Sequence, residues 1–158
     1  MILYHGTNEN FTAVDLKRSR IGKDFGIGFY LTPSFEIAKR QAQRKFVQYG
    51  TGGVRVYSFD FNDSDAGKLK VLRFDCQEYT MEWADFIMLN RSNKDNVQVH
   101  DYDVVIGPIA DDTVGYQIRR LEDGIITKEQ FLEMIKFNFI TIQYLFATEK
   151  SLTFLKRL

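Results

Sequence analysis

The chain has one cysteine, Cys76, together with two histidines and two prolines in 158 residues. A single thiol excludes an intrachain disulfide, and one thiol with two imidazoles falls short of the four ligands that a structural zinc ion ordinarily takes. The natural expectation is a reducing, cytoplasmic setting with no bound metal. Net charge is missing too, since 21 Lys+Arg balance 21 Asp+Glu. Bulk electrostatics therefore draws the chain neither to nucleic acid nor to an anionic membrane surface. No stretch approaches the roughly 20 apolar residues of a membrane helix, and the first residues lack the charged-then-apolar layout of a secretory leader. Without repeats, low-complexity tracts or a linker, one domain over 1–158 is expected.

What is present is enough apolar material for a core, 44% hydrophobic and 15% aromatic, and one organising stretch, Asp24-Phe25-Gly26-Ile27-Gly28-Phe29-Tyr30-Leu31-Thr32-Pro33. Gly26 and Gly28 permit backbone conformations or approaches that a Cβ would block, and Phe29 to Thr32 reads as a short strand. Thr32-Pro33 then offers an N-cap and a first-turn proline. A phosphate-cradling glycine loop requires the order strand, glycine, helix, and the order here is glycine, strand, helix. What remains is a tyrosine, Tyr30, either presented where a flat ligand could approach the backbone or simply packed beside a turn.

Met1 to Thr7 is an apolar strand broken at Gly6, which leaves His5 at its end as either a hydrogen-bonded core residue or a site residue. Asn8 to Lys23 has no steady period and reads as a loop with one turn of helix. Its Lys17, Arg18, Arg20 and Lys23 form either a solvated face or an anion-binding surface. From Pro33 to about Val47, Phe35, Ala38, Ala42 and Phe46 make one apolar stripe of a helix. Val54–Phe61 and Lys68–Phe74 read as strands, Thr80–Asn90 as a helix with Trp83 in the core, and Tyr102–Pro108 as a buried strand. Asp111-Asp112 opens a further helix, and Thr127 with Gln130 forms a capping box. Ile140–Phe146 is strand-like, and Thr148 caps a last helix containing Leu152 and Leu155. Gln143 is the polar oddity in its apolar strand: it either satisfies a strand edge or, if buried, needs partners, of which a ligand can be one.

Taken together, His5-Gly6-Thr7, Gly26-Ile27-Gly28-Phe29-Tyr30-Leu31 and Gln143-Tyr144-Leu145-Phe146 resemble the three signature strands of the ADP-ribosyltransferases of the diphtheria-toxin and poly(ADP-ribose) polymerase type. Over nearly the whole chain, Lys23 to Tyr30, Trp83 with Asp85-Phe86-Ile87, Asn90-Arg91 and Asp101 to Asp112 are similar to a bacterial family of uncharacterised proteins placed in that superfamily. The resemblance implies an α+β fold in which two antiparallel sheets form a cleft for NAD, with peripheral helices. It also implies ADP-ribose transfer from NAD, a toxin-like role inside bacterial cells and an antidote protein as partner; glutamine at position 143 favours transfer of a single ADP-ribose over polymer synthesis, and the balanced charge favours a protein over a nucleic acid as acceptor. By analogy His5 contacts the adenosine ribose, the Gly6 backbone meets the nicotinamide amide, and Tyr30 stacks on the cationic nicotinamide ring. The candidate catalytic residues are Gln143, Tyr30 and His5, and the candidate NAD contacts are His5, Gly6, Thr7, Tyr30, Asp24 and Arg20. One departure stands out, because many of these transferases carry glutamate where this chain has Gln143. Glutamine can position a ribose hydroxyl, but it has no charge to set against an oxocarbenium-like transition state and takes no proton. The same cleft could therefore bind NAD without turnover, or hydrolyse it. Asp24 is a candidate for the missing charge, or else a residue that caps the turn.

Overall fold

Seven short strands, rich in β-branched and aromatic residues, gather into two sheets, and the helices between them cover the outer faces. The computed structural model describes residues 1–158, apart from the side chains of Asp63, Asp65 and Ala66. The first sheet contains β1 (Ile2–Thr7), β3 (Arg55–Phe61) and β7 (Leu155–Arg157) in the order β1-β3-β7, all antiparallel. The second contains β2 (Phe29–Leu31), β4 (Val71–Arg73), β5 (Val104–Pro108) and β6 (Ile142–Phe146) in the order β2-β6-β5-β4. The α+β class is as expected, with one correction to the sheets: β4 pairs with β5 in parallel. The chain between them crosses over through α2 (Met81–Arg91), the kind of connection that parallel neighbours require. The remaining helices are α1 (Phe35–Tyr49), α3 (Asp112–Glu122), α4 (Lys128–Ile135) and the single turn α5 (Glu149–Leu152). No helix among the described residues is long and apolar enough to cross a membrane.

Two apolar cores follow from the period-two alternation of β5 and β6. Val104, Ile106, Tyr144 and Phe146 point between the sheets and pack with Leu3, Leu31, Phe59 and Phe61. Val105 and Leu145 point the other way, into a core with Phe25, Trp83, Ile87, Ile118 and Phe131 beneath α2, α3 and α4. Trp83 is fully buried and donates its indole N–H to Pro108 O at 2.9 Å. Truncating it would cost about 3–5 kcal/mol. The capping box at Thr127 is present in both halves, and Asp111 caps α3.

The sequence reading of α1 needs correcting at two points. Ser34, not Thr32, caps the helix, by accepting from Ile37 N at 3.3 Å. Only Ala38 and Ala42 of the apolar stripe are buried, while Phe35 and Phe46 remain exposed. The helix lies so close to β1 that a Cβ on Gly6 would fall 1.8 Å from Ala38 O. Backbones that near leave room for alanine and push the larger residues to the rim. Leu155, expected in the last helix, belongs instead to β7 on the edge of the first sheet.

The two sheets meet along their edges. Tyr4 and Thr32 exchange both backbone hydrogen bonds, at 2.8 and 2.9 Å, in an isolated bridge between β1 and the end of β2. The segment Asn8 to Lys23 departs from the end of β1 and returns to the glycine turn before β2, with one 3-10 turn at Leu16–Arg18. It arches over this junction and closes a cavity.

Candidate functional site

The glycine turn is built so that no other residue fits. Gly26 has φ 89°, and a Cβ there would lie 2.2 Å from Gln98 Oε1. At Gly28, φ is 156°, and a Cβ would meet Leu145 Cδ1 at 2.3 Å. Gln98 braces the turn from behind, accepting from Ile27 N at 3.0 Å and donating to Ile27 O at 2.6 Å. His100 donates from Nε2 to Phe25 O at 2.8 Å, while its Nδ1 accepts from Tyr102 N at 3.2 Å. Tyr30 closes the turn from within: its hydroxyl donates to Gly26 O at 2.7 Å and accepts from Phe25 N at 3.1 Å. Burial raises the Tyr30 pKa far above the usual tyrosine value, so the phenol is neutral.

His5, Tyr30 and Gln143 come from β1, β2 and β6 and line one cavity of about 730 Å³. That size lies within the range of small-molecule and cofactor sites. His5 Nδ1 is 2.7 Å from Tyr30 O, and a carbonyl can only accept, so Nδ1 carries the proton and Nε2 is left as an acceptor. Burial, reinforced by Lys45, lowers the His5 pKa to about 3, which keeps the ring neutral. Phe29 and Phe11 pack on it with ring centroids at 4.4 and 6.0 Å.

Gln143 is 7% exposed, and its register opposite Gly107 brings the side chain to the cavity wall. Nε2 donates to Asp24 Oδ2 at 3.1 Å and to Pro108 O at 3.3 Å. Both amide hydrogens are thus used, and Oε1 alone remains for a ligand. Asp24 also accepts from Ala110 N at 3.3 Å, and its Oδ1 holds the Arg91 guanidinium at 2.6 and 2.8 Å. The sequence separates Asp24 from Gln143 by 119 positions, and the fold brings them into contact. The carboxylate serves Gln143 as a hydrogen-bond partner while Arg91 offsets its charge.

Of the other candidates, Thr7 and Arg20 line the same cavity and Gly6 does not. Gly6 faces α1, and its carbonyl accepts from Lys45 Nζ at 2.9 Å. Lys45 is a cavity residue that no motif marks, and only its helical position points to it. Lys45 falls seven positions after Ala38 and three after Ala42, on the buried stripe of α1 where a cation is out of place. Withdrawal from water and repulsion by Lys23 lower its pKa to about 8. Burial and Arg20 likewise lower that of Lys23, whose ammonium stands over the Tyr30 ring at 5.1 Å from the centroid.

Four cations, Arg18, Arg20, Lys23 and Lys45, and three acids, Glu9, Asp15 and Asp24, line the cavity. Arg18 holds Glu9 at 2.6 Å and Arg91 holds Asp24, and Arg20, Lys23 and Lys45 form no ion pair with a described residue, although Glu9 lies near enough to Lys45 to attract it. Three such cations beside an aromatic face and a neutral imidazole suit an anionic ligand that also carries a flat ring. No group of three or more His, Cys, Asp or Glu side chains suited to a metal occurs among the described residues.

A family model described as a protein of unknown function, DUF3990, matches residues 1–157, and the chain belongs to that family. Neither the curated proteins nor the solved structures provide a match.

Proposed function

We propose that this DUF3990 protein is an NAD-dependent mono-ADP-ribosyltransferase, with NAD held in the cavity between β1 and β2 and two sheets arranged as in the transferases its signature strands resemble. The observation that carries the proposal is the convergence of His5, Tyr30 and Gln143, from three separate strands, on one cavity of about 730 Å³ that Arg20, Lys23 and Lys45 also line. Arg20 and Lys45 would take the diphosphate. Tyr30 would present its ring to the nicotinamide, and a cation on an aromatic face is worth roughly 0.5–2 kcal/mol. His5 Nε2 would accept from a ribose hydroxyl, as would Gln143 Oε1.

In the reaction, the bond between nicotinamide nitrogen and ribose carbon breaks, its electron pair leaves with nicotinamide, and the acceptor nucleophile bonds to that carbon. Positive charge gathers on the sugar on the way. The hydrogen bond from Gln143 to Asp24 polarises the amide and makes Oε1 a better acceptor for the hydroxyl that must be held. Glutamine takes no proton, so the acceptor's proton goes to water or to a base that the acceptor brings. Balanced overall charge favours a protein acceptor over nucleic acid, and a toxin-like role with an antidote partner is the biological setting we propose.

A second reading has its own support. Among the described residues the one carboxylate hydrogen-bonded to Gln143 is also paired with Arg91, and this favours a cavity that binds NAD without turnover. Purified protein incubated with adenine-labelled NAD, with and without cell extract, separates the readings. A labelled acceptor supports the transferase, free ADP-ribose indicates a glycohydrolase, and bound but intact NAD indicates a binding module. Absence of NAD binding would remove all three.

A further inference from the structure

The cavity already carries a cation where the proposed substrate would bring one. Lys23 Nζ stands 5.1 Å from the centroid of the Tyr30 ring, and Tyr30 and Lys23 line the same cavity wall. The rest of that residue is arranged to keep it there. Its carbonyl accepts from Gly26 N at 3.2 Å, which fixes the backbone to the glycine turn. No described carboxylate forms an ion pair with its ammonium: of the acids lining the cavity, Glu9 holds Arg18, Asp24 holds Arg91, and Asp15 accepts from the Lys17 backbone N–H. The Tyr30 hydroxyl is held by Gly26 and Phe25, so the ring cannot swing away to offer a different face.

We propose that Lys23 is a specificity-determining residue that competes, from within the chain, for the aromatic face of Tyr30 against the cationic ring of an oxidised nicotinamide dinucleotide. This rests on the cavity being an NAD site. Two cations cannot share one ring face, because each loses the attraction of the quadrupole and gains the repulsion of the other. NAD must therefore displace the Lys23 ammonium to seat its nicotinamide. ADP-ribose, which has the same adenosine and diphosphate but no pyridinium, need not. Lys23 thus sets the site's preference between the intact dinucleotide and its nicotinamide-free part without touching what the two share.

The test is calorimetric titration of the full chain, wild type, Lys23→Met and Lys23→Arg, with NAD and separately with ADP-ribose. Methionine keeps most of the apolar stem and removes the charge, and arginine keeps the charge. Lys23→Met is expected to bind NAD about 2- to 30-fold more tightly, the range that one cation–π contact spans. It should bind ADP-ribose no more tightly than wild type does, and Lys23→Arg should behave like wild type towards both. Equal weakening of both ligands in Lys23→Met would overturn the proposal and make Lys23 a diphosphate contact. Unchanged or weaker NAD binding in a variant that melts like wild type would overturn it as well. If wild type binds neither ligand, the NAD-site reading itself fails and this inference falls with it; if wild type binds NAD and only the variants contradict, this inference alone is lost.

Discussion

The turn from Asp24 to β2 has a back and a front, and the two use their polar groups differently. At the back, Gln98 exchanges two hydrogen bonds with Ile27, and both ring nitrogens of His100 are engaged, with Phe25 O and Tyr102 N. At the front, His5 also bonds a carbonyl of the same segment, but only with Nδ1. Gln143 spends its amide nitrogen and keeps its oxygen, and Arg20, Lys23 and Lys45 form no ion pair with a described residue. Burial does not separate the two histidines, since both are partly buried and burial lowers both pKa values. The count of satisfied atoms does. A histidine with both nitrogens engaged is part of the frame, and one with a nitrogen left over faces a ligand.

Changes at the back should therefore act on stability, and changes at the front on binding. The largest expected effect is Gly26→Ala, where a positive φ and a Cβ 2.2 Å from Gln98 Oε1 combine. Urea unfolding should show a loss of about 3 kcal/mol. Gln98→Ala leaves the Ile27 amide and carbonyl without partners and should cost about 1–3 kcal/mol in the same measurement. A comparable loss on NAD affinity with no loss of stability would break the distinction between the two sides.

The acid limb of the stability curve sharpens it further. The folded His5 has its pKa lowered to about 3 against an ordinary 6.5, so below 6.5 the unfolded chain takes up a proton that the native one refuses. Stability from this group is complete above pH 6.5 and falls as the pH drops towards 3, by at most about 1.4 kcal/mol per pH unit. His100 adds in the same direction. The slope should flatten, though not vanish, in His5→Ala. The smallest stability effect belongs to Arg20→Ala at the front, within about 0.5 kcal/mol for an exposed residue that forms no ion pair with a described residue. The same change should weaken NAD about tenfold or more, because a charge-assisted hydrogen bond is worth roughly 1.5–3 kcal/mol.

The back of the turn was the part that the sequence hid. The Gly26–Tyr30 stretch announces itself by two glycines before an aromatic strand, and His5 and Gln143 are conspicuous as polar residues in apolar strands. Nothing local marks Gln98 or His100, because their roles come from a loop 71 and 75 positions away from the atoms they hold. Arg91 is hidden for the same reason, its partner lying 67 positions earlier. β7 escaped because it is three residues long, two of them charged, and among the described residues it pairs with β3 alone. An edge strand of that length is made by its neighbour and not by its own pattern. The exposed phenylalanines of α1 teach a related lesson, since the helix's distance from β1 was decided by Gly6, on another element.

The central claim is that the front of the turn is an NAD site with Tyr30 at its aromatic face, and the most direct measurement is the melting temperature with and without millimolar NAD, for wild type and Tyr30→Ala. The account predicts a rise for wild type that grows with the logarithm of NAD concentration, and no rise for the variant whatever its starting temperature. A wild-type melting temperature indifferent to NAD, or an equal rise in both proteins, would contradict it.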